Sequence, residues 1–127
     1  MKTFSRAAFW TITGLLAVIF VMIGLSKLAG PSSVRWADRF VHWGYPAGSH
    51  YVVGVVEALS GIGLLLRLSR KPAAAALIIL MAGAIFTHLL HGELPRIIPP
   101  LVMGTLAFYI FSSQPAKQAA ELGRHSE

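Results

Sequence analysis

The chain has 127 residues, of which 55% are hydrophobic and 13% are charged, and its mean hydropathy is +0.66. A soluble domain has about 25% charged residues, so this composition is typical of an integral membrane protein. The absence of cysteine excludes disulfides, thiolate catalysis and thiolate metal sites. The net charge is +6, but the basic residues lie in short segments between apolar runs, so we exclude nucleic-acid binding.

Four apolar runs are candidates for membrane spans, because about 20 helical residues cross a hydrocarbon core of about 30 Å. The first run, Ala7 to Ala29, is longer than the apolar core of a signal peptide and ends at Gly30-Pro31, so we expect an uncleaved span. Prolines suit the first turns of the last two runs. The predicted spans are residues 7–29, 50–68, 73–90 and 97–113.

A short segment between the first two spans has its own periodicity. Trp36, Phe40 and Trp43 recur at i, i+4 and i+7, which is one face of a helix. We therefore predict a short amphipathic helix, about residues 34–43, that lies on the membrane with its tryptophans at headgroup level. The alternative is that these aromatic side chains form a lid over an outward-facing pocket.

Basic residues are distributed unevenly over the two sides of the predicted spans. Seven lie on the side of the termini: Lys2, Arg6, Arg67, Arg70, Lys71, Lys117 and Arg124. Four lie on the opposite side: Lys27, Arg35, Arg39 and Arg96. The positive-inside rule therefore predicts a multi-pass inner-membrane protein with both termini in the cytoplasm.

The predicted fold is all-α, an integral-membrane antiparallel four-helix bundle with the short interfacial helix between spans one and two. The membrane domain comprises residues 1–113. Residues 114–127 are polar and form a predicted cytoplasmic tail.

Lys27, Glu57 and His88 are ionisable residues inside predicted spans, and His91 lies at the rim. Such residues are costly in lipid and face the protein interior or a wet cavity. Helical side chains lean toward the helix N-terminus, so the first three converge just below the outer surface. Each continues a stripe that also carries small residues: Ala17, Phe20 and Gly24 on span one; His50, Gly54 and Gly61 on span two; Leu77, Met81 and Ala84 on span three, where His91 follows on the same stripe.

These residues allow several interpretations. Lys27 and Glu57 are either a structural ion pair between helices or a charged site or proton relay. His88 and His91 either snorkel to the interface, hydrogen-bond an apolar ligand such as a quinone, or bind a metal together with Glu57 or Glu93. We favour the apolar ligand over the metal. Arg96 is a loop cation, a partner of Glu93, or a ligand for a lipid phosphate.

Four stretches carry a family likeness: GLSKLAG, F-x-x-WGYP, GVVEALSGIGLLL and THLLHGE. Between about Gly14 and Ile110 the chain resembles the DoxX-like family of small four-helix membrane proteins. The positions that match the family pattern are Lys27, Trp43, Gly44, Pro46, Glu57 and Gly61. The resemblance implies a link to membrane redox and oxidative stress, since the family is named for a subunit associated with a thiosulfate:quinone oxidoreductase. More distant animal relatives look like assembly chaperones for membrane receptors.

We therefore expect an accessory membrane subunit, not a stand-alone enzyme, that binds a small apolar ligand such as a quinone and serves a membrane oxidoreductase. Such a role requires a cavity that reaches Glu57 and holds a ring. One alternative is a membrane chaperone or assembly factor without ligand chemistry. A less favoured alternative is a metal-dependent membrane enzyme that uses His88, His91 and Glu57. The candidate ligand-binding residues are Lys27, Trp43, Tyr45, Glu57, His88 and His91.

Overall fold

The structure is a computed structural model that describes residues 2–113, and every regular element in this range is helical. The predicted cytoplasmic tail, residues 114–127, lies outside the described residues. A short 3₁₀ helix, Leu94–Ile97, precedes the last α-helix. The α-helices in chain order are α1 (Lys2–Leu28), α2 (Gly30–His42), α3 (Ser49–Gly63), α4 (Arg70–Leu90) and α5 (Ile98–Ser112).

Within the described residues, three helical stretches are long and apolar enough to cross a membrane: Ser5–Leu28, Arg70–Leu90 and Leu94–Ser112. They embed the protein in lipid and confirm the prediction of an all-α membrane protein. The second predicted span, residues 50–68, is shorter in the structure. Helix α3 has 15 residues, which corresponds to about 22 Å at 1.5 Å per residue. A bundle of four complete spans is therefore not confirmed.

Helix α3 ends early because side chains from the following segment bind its last carbonyl groups. Those groups have no partner within a helix. The hydroxyl of Ser69 donates a hydrogen bond of 2.9 Å to the carbonyl of Gly63. Nε of the buried Arg70 donates one of 2.7 Å to the carbonyl of Leu64. A basic residue that was predicted to lie on the cytoplasmic side thus also caps a helix.

The closest packing in the fold is between α1 and α3. Small residues let the two backbones approach, as at Gly61, where an added Cβ would lie 2.9 Å from the carbonyl oxygen of Ala17. Every residue of the two predicted stripes is buried, which confirms that these faces point into the bundle: Ala17, Phe20, Gly24 and Lys27 on α1, and His50, Gly54, Glu57 and Gly61 on α3.

Helix α2 folds back from the end of α1 and contacts both α1 and α3. The reversal occurs at Gly30, whose φ of +77° is accessible to glycine at little cost, and Pro31 follows in the first turn of α2. The hydroxyl of Ser33 donates a hydrogen bond of 2.7 Å to the carbonyl of Lys27. This bond ties the start of α2 to the turn of α1 that carries the lysine.

Candidate functional site

A cavity of about 520 Å³ lies among the helices. Ligand pockets in proteins have volumes of about 300–1,000 Å³ and are mostly apolar with a few polar groups. Residues from every α-helix line this cavity: Ile23, Lys27, Trp36, Arg39, Phe40, Trp43, Tyr45, Ser49, Val53, Glu57, Ile79, Leu80, Met81, Gly83, Ala84, Thr87, His88, Arg96, Pro99, Pro100 and Met103. Five of the six candidate ligand-binding residues are among them, and His91 is not.

Lys27 and Glu57 form a buried ion pair in the cavity wall. Nζ of Lys27 lies 2.7 Å from Oε1 of Glu57, and each side chain is 4% exposed. The ammonium group also lies over the ring of Trp36, 3.9 Å from its centroid, where it is attracted by the negative face of the π-system. The structure thus brings together two residues that the sequence places at a similar depth on separate spans.

The aromatic face of α2 points toward the bundle. Trp36, Phe40 and Trp43 all line the cavity, and Phe40 packs against both Trp43 and Tyr45 with ring centroids 5.5 and 5.6 Å apart. Anchoring of the tryptophans at headgroup level stays a prediction. The alternative prediction of an aromatic cover over a pocket describes their position. In the fold, this aromatic face is turned toward the neighbouring helices, whereas an isolated α2 would present it to the lipid headgroups.

A second polar cluster, the Glu93 cluster, joins the end of α2 to the end of α4. Oε1 of Glu93 accepts a hydrogen bond of 2.9 Å from Nε1 of Trp43 and lies 3.0 Å from Nδ1 of His88. Oε2 of Glu93 accepts one of 3.2 Å from the guanidinium of Arg96, as one of the sequence alternatives for Arg96 predicted. The hydrogen bond with His88 is the main cause that lowers the pKa of Glu93, helped by Trp43 and Arg96 and opposed by desolvation.

The two histidines predicted as a pair have different surroundings. The His88 ring lines the cavity and meets Trp43 edge to face, with centroids 5.4 Å apart. The exposed His91 directs Nδ1 to the carbonyl of Thr87 at 2.8 Å. The prediction that His91 continues the inward stripe of span three is therefore wrong. The cause is the helix end, where the chain turns away from the bundle after Leu90.

The proposed metal ligands do not come together. No group of three or more histidine, cysteine, aspartate or glutamate side chains that could hold a metal ion occurs in the part of the chain that the structure describes. Glu57 is paired with Lys27, and His88 is paired with Glu93. The arrangement places hydrogen-bonding groups around an apolar space instead.

Three residues have roles in this site that the sequence analysis did not assign to them. Thr87 exchanges a hydrogen bond with the hydroxyl of Tyr45, Glu93 links Trp43 to His88, and Trp36 covers Lys27. Glu93 is only two residues beyond the His-x-x-His pattern, so a search for a carboxylate that orients a histidine identifies it. For Thr87 the sequence offers no comparable signal.

Comparison with known proteins gives one match. The family model described as the DoxX-like family matches residues 11–110, which is more than half of the chain and includes every residue that lines the cavity. No curated protein and no solved structure matches the chain.

Proposed function

The chain belongs to the DoxX-like family, and we propose that its cavity binds a small apolar ligand whose ring carries polar substituents, such as a quinone. The observation that carries this proposal is the cavity of about 520 Å³ whose wall contains the buried Lys27–Glu57 pair. A cavity that was only a gap in the packing would not need charged groups in its wall, because buried charges are costly. The ion pair in the wall therefore favours a binding role.

Two parts of the cavity lining suit such a ligand. Aromatic rings at Trp36, Phe40 and Trp43 offer flat surfaces for a second ring, which prefers offset or edge-to-face contact. Aliphatic and thioether side chains at Leu80, Met81 and Met103 offer an apolar lining for a tail. The polar groups of Thr87, His88 and the ion pair can then orient the ring, as the few polar groups in most ligand sites do.

The proposed setting is the inner membrane, with both termini in the cytoplasm and the cavity near the outer surface. The distribution of basic residues supports this orientation, and α3 serves as the second crossing of the membrane. In this setting the protein acts as an accessory subunit that holds its ligand for a membrane oxidoreductase, and it does not act as a stand-alone enzyme. The family membership supports a membrane protein of this kind.

The test is native mass spectrometry of the detergent-purified protein, with extraction and quantification of bound quinones and lipids. Wild type is compared with Glu57→Gln, which removes the charge that pairs with Lys27. Asp38→Asn is the matched control, because Asp38 is an exposed carboxylate on α2 outside the cavity lining.

A quinone that co-purifies with wild type and with Asp38→Asn but not with Glu57→Gln supports the proposal. A stable wild-type protein that carries neither quinone nor hydroquinone and takes up neither when they are added overturns it. The ion pair is then a contact between helices, and the chaperone alternative is pursued by pull-down of membrane-protein partners.

A further inference from the structure

The two ring nitrogens of His88 have unequal surroundings. Nδ1 lies 3.0 Å from Oε1 of Glu93. Nε2 has no hydrogen-bond partner among the residues that the structure describes, and the His88 side chain is part of the cavity lining. The edge-to-face contact with Trp43 holds the ring in this orientation. The polar atom of His88 that is left for a ligand is therefore Nε2.

The partner of Nδ1 determines where the imidazole carries its proton. An ionised carboxylate only accepts hydrogen bonds, and Glu93 is held ionised by donors from Trp43 and Arg96 as well. Nδ1 of His88 must therefore be the donor in this contact. In the neutral imidazole the other nitrogen is then an acceptor, so Nε2 has a lone pair that can accept a hydrogen bond from a ligand.

We propose that the ligand of this cavity carries a hydroxyl group on its ring, which donates a hydrogen bond to Nε2 of His88. This inference rests on the proposed function, and it specifies the ligand as a phenol or hydroquinone rather than a ring with carbonyl groups alone. A ring that has only carbonyl oxygens or ether oxygens has no proton to donate. The Glu93 cluster thereby makes His88 a specificity-determining residue.

The test compares two probes that differ in one proton donor, 4-octylphenol and its methyl ether. Isothermal titration calorimetry in detergent at pH 8 gives the dissociation constant of each probe. The ratio of the two constants is compared between protein variants, so that unequal partitioning of the probes into micelles cancels.

The decisive variant is His88→Asn. Its side-chain amide stands close to the position of Nδ1 and can still donate to Glu93, but it has no atom at the position of Nε2. His91→Ala is the matched control on the same helix, since His91 does not line the cavity. Thermal stability of both variants shows whether the fold is kept.

A typical hydrogen bond contributes about fivefold to an equilibrium constant. The preference for the phenol is the dissociation constant of the ether divided by that of the phenol. We therefore expect this ratio to be about fivefold larger in wild type and in His91→Ala than in folded His88→Asn. Equal ratios in wild type and His88→Asn, with both probes bound, overturn the inference and leave the proposed function standing. Failure of both probes to bind wild type overturns the inference together with the proposed function.

Discussion

Gly24 and Gly54 lie directly against each other where α1 crosses α3. A Cβ atom added to Gly24 would lie 2.5 Å from the carbonyl oxygen of Gly54, and one added to Gly54 would lie 2.8 Å from the carbonyl oxygen of Gly24. Lys27 and Glu57 follow these glycines at the same interval, one helical turn further along each chain segment. The approach of the two backbones therefore sets the distance across which the ion pair forms.

Replacing Gly54 with alanine is expected to destabilise the protein by about 1–3 kcal/mol, the usual cost of overpacking a close contact. The added Cβ would meet backbone and the Cβ of Lys27, neither of which can rotate away. Thermal stability in detergent, followed by size-exclusion chromatography, measures the effect. Gly14→Ala is the control, because nothing lies within 4 Å of its added Cβ. An equal loss in both variants would contradict the importance of the contact.

Removing one partner of the Lys27–Glu57 pair is expected to cost about 3 kcal/mol or more, since the other charge is left buried without compensation. Lys27→Met and Glu57→Leu should each be destabilising, and the double variant should recover much of the loss. The double-mutant cycle by thermal or denaturant unfolding gives the coupling energy. Losses that simply add would show that the two side chains do not depend on each other.

The same double variant separates a structural role from a binding role. If the ion pair only connects helices, a folded double variant keeps the quinone that co-purifies with wild type. If the pair orients the ligand, as we propose, the double variant is stable and empty. Native mass spectrometry distinguishes these results.

Filling the cavity is expected to prevent binding without disturbing either polar cluster. Ala84→Trp places a large ring in the cavity lining, and Ala82→Trp places the same ring on the exposed side of α4. The first variant should weaken binding of 4-octylphenol by about tenfold or more, which corresponds to about 1.4 kcal/mol. The second should bind like wild type. Unchanged affinity in Ala84→Trp would place the ligand elsewhere.

Acid is expected to release Trp43 from Glu93. The pKa of Glu93 lies below its ordinary value of 4.5 because His88, Trp43 and Arg96 stabilise the carboxylate. Because the pKa of Glu93 is lowered in the folded state, its carboxylate contributes fully to the stability of the fold above the ordinary pKa. This contribution is lost as the pH falls through the lower pKa of the folded state. Fluorescence of Trp43, in a variant with Trp10 and Trp36 replaced by phenylalanine, should therefore show a change that occurs below about pH 4.5.

Glu93→Gln in the same background is the control for that titration. It lacks the ionisable group, so the change in Trp43 fluorescence at acid pH should disappear. A transition of the same size and midpoint in Glu93→Gln would assign the change to another group.

The proposed orientation is testable because the chain has no cysteine. Single cysteines at Ala47, in the turn after α2, and at Leu68, in the connection from α3 to α4, lie at exposed positions on opposite sides of the proposed topology. A membrane-impermeant maleimide should label Ala47→Cys in intact cells and Leu68→Cys only after lysis. The reverse pattern would place the cavity near the cytoplasmic surface.

Much of the fold follows from local patterns in the sequence. Run length and the Gly30-Pro31 break locate the end of α1, because both depend on residues within the segment itself. Helix α2 begins at Gly30, four residues before the predicted start of the interfacial helix. The inward stripes of α1 and α3 follow from helical periodicity and the high cost of exposing Lys27 and Glu57 to lipid. The early end of α3 does not follow from local patterns, because it depends on the side chain of Arg70, which belongs to the next helix.

The site was harder to predict where α2 meets the end of α4. An apolar face on α2 suits both lipid headgroups and a covered cavity, so periodicity alone does not choose between them. His88 and His91 share a stripe, but only tertiary packing decides where the helix end turns. Gly92, with a φ of +68°, reverses the chain so that the backbone N–H of Glu93 bonds to the carbonyl of His88. This reversal places the carboxylate beside the imidazole.

The position of the carboxylate partner of Lys27 has a consequence for biosynthesis. Lys27 emerges from the ribosome near the end of α1, whereas Glu57 lies on α3 and is made only after α2. During that interval the first membrane helix carries an ammonium charge near its C-terminal end with no counter-charge, which is unfavourable in hydrocarbon. We therefore expect α1 to remain at the translocon until α3 is available, so that the two helices enter the lipid together as a hairpin.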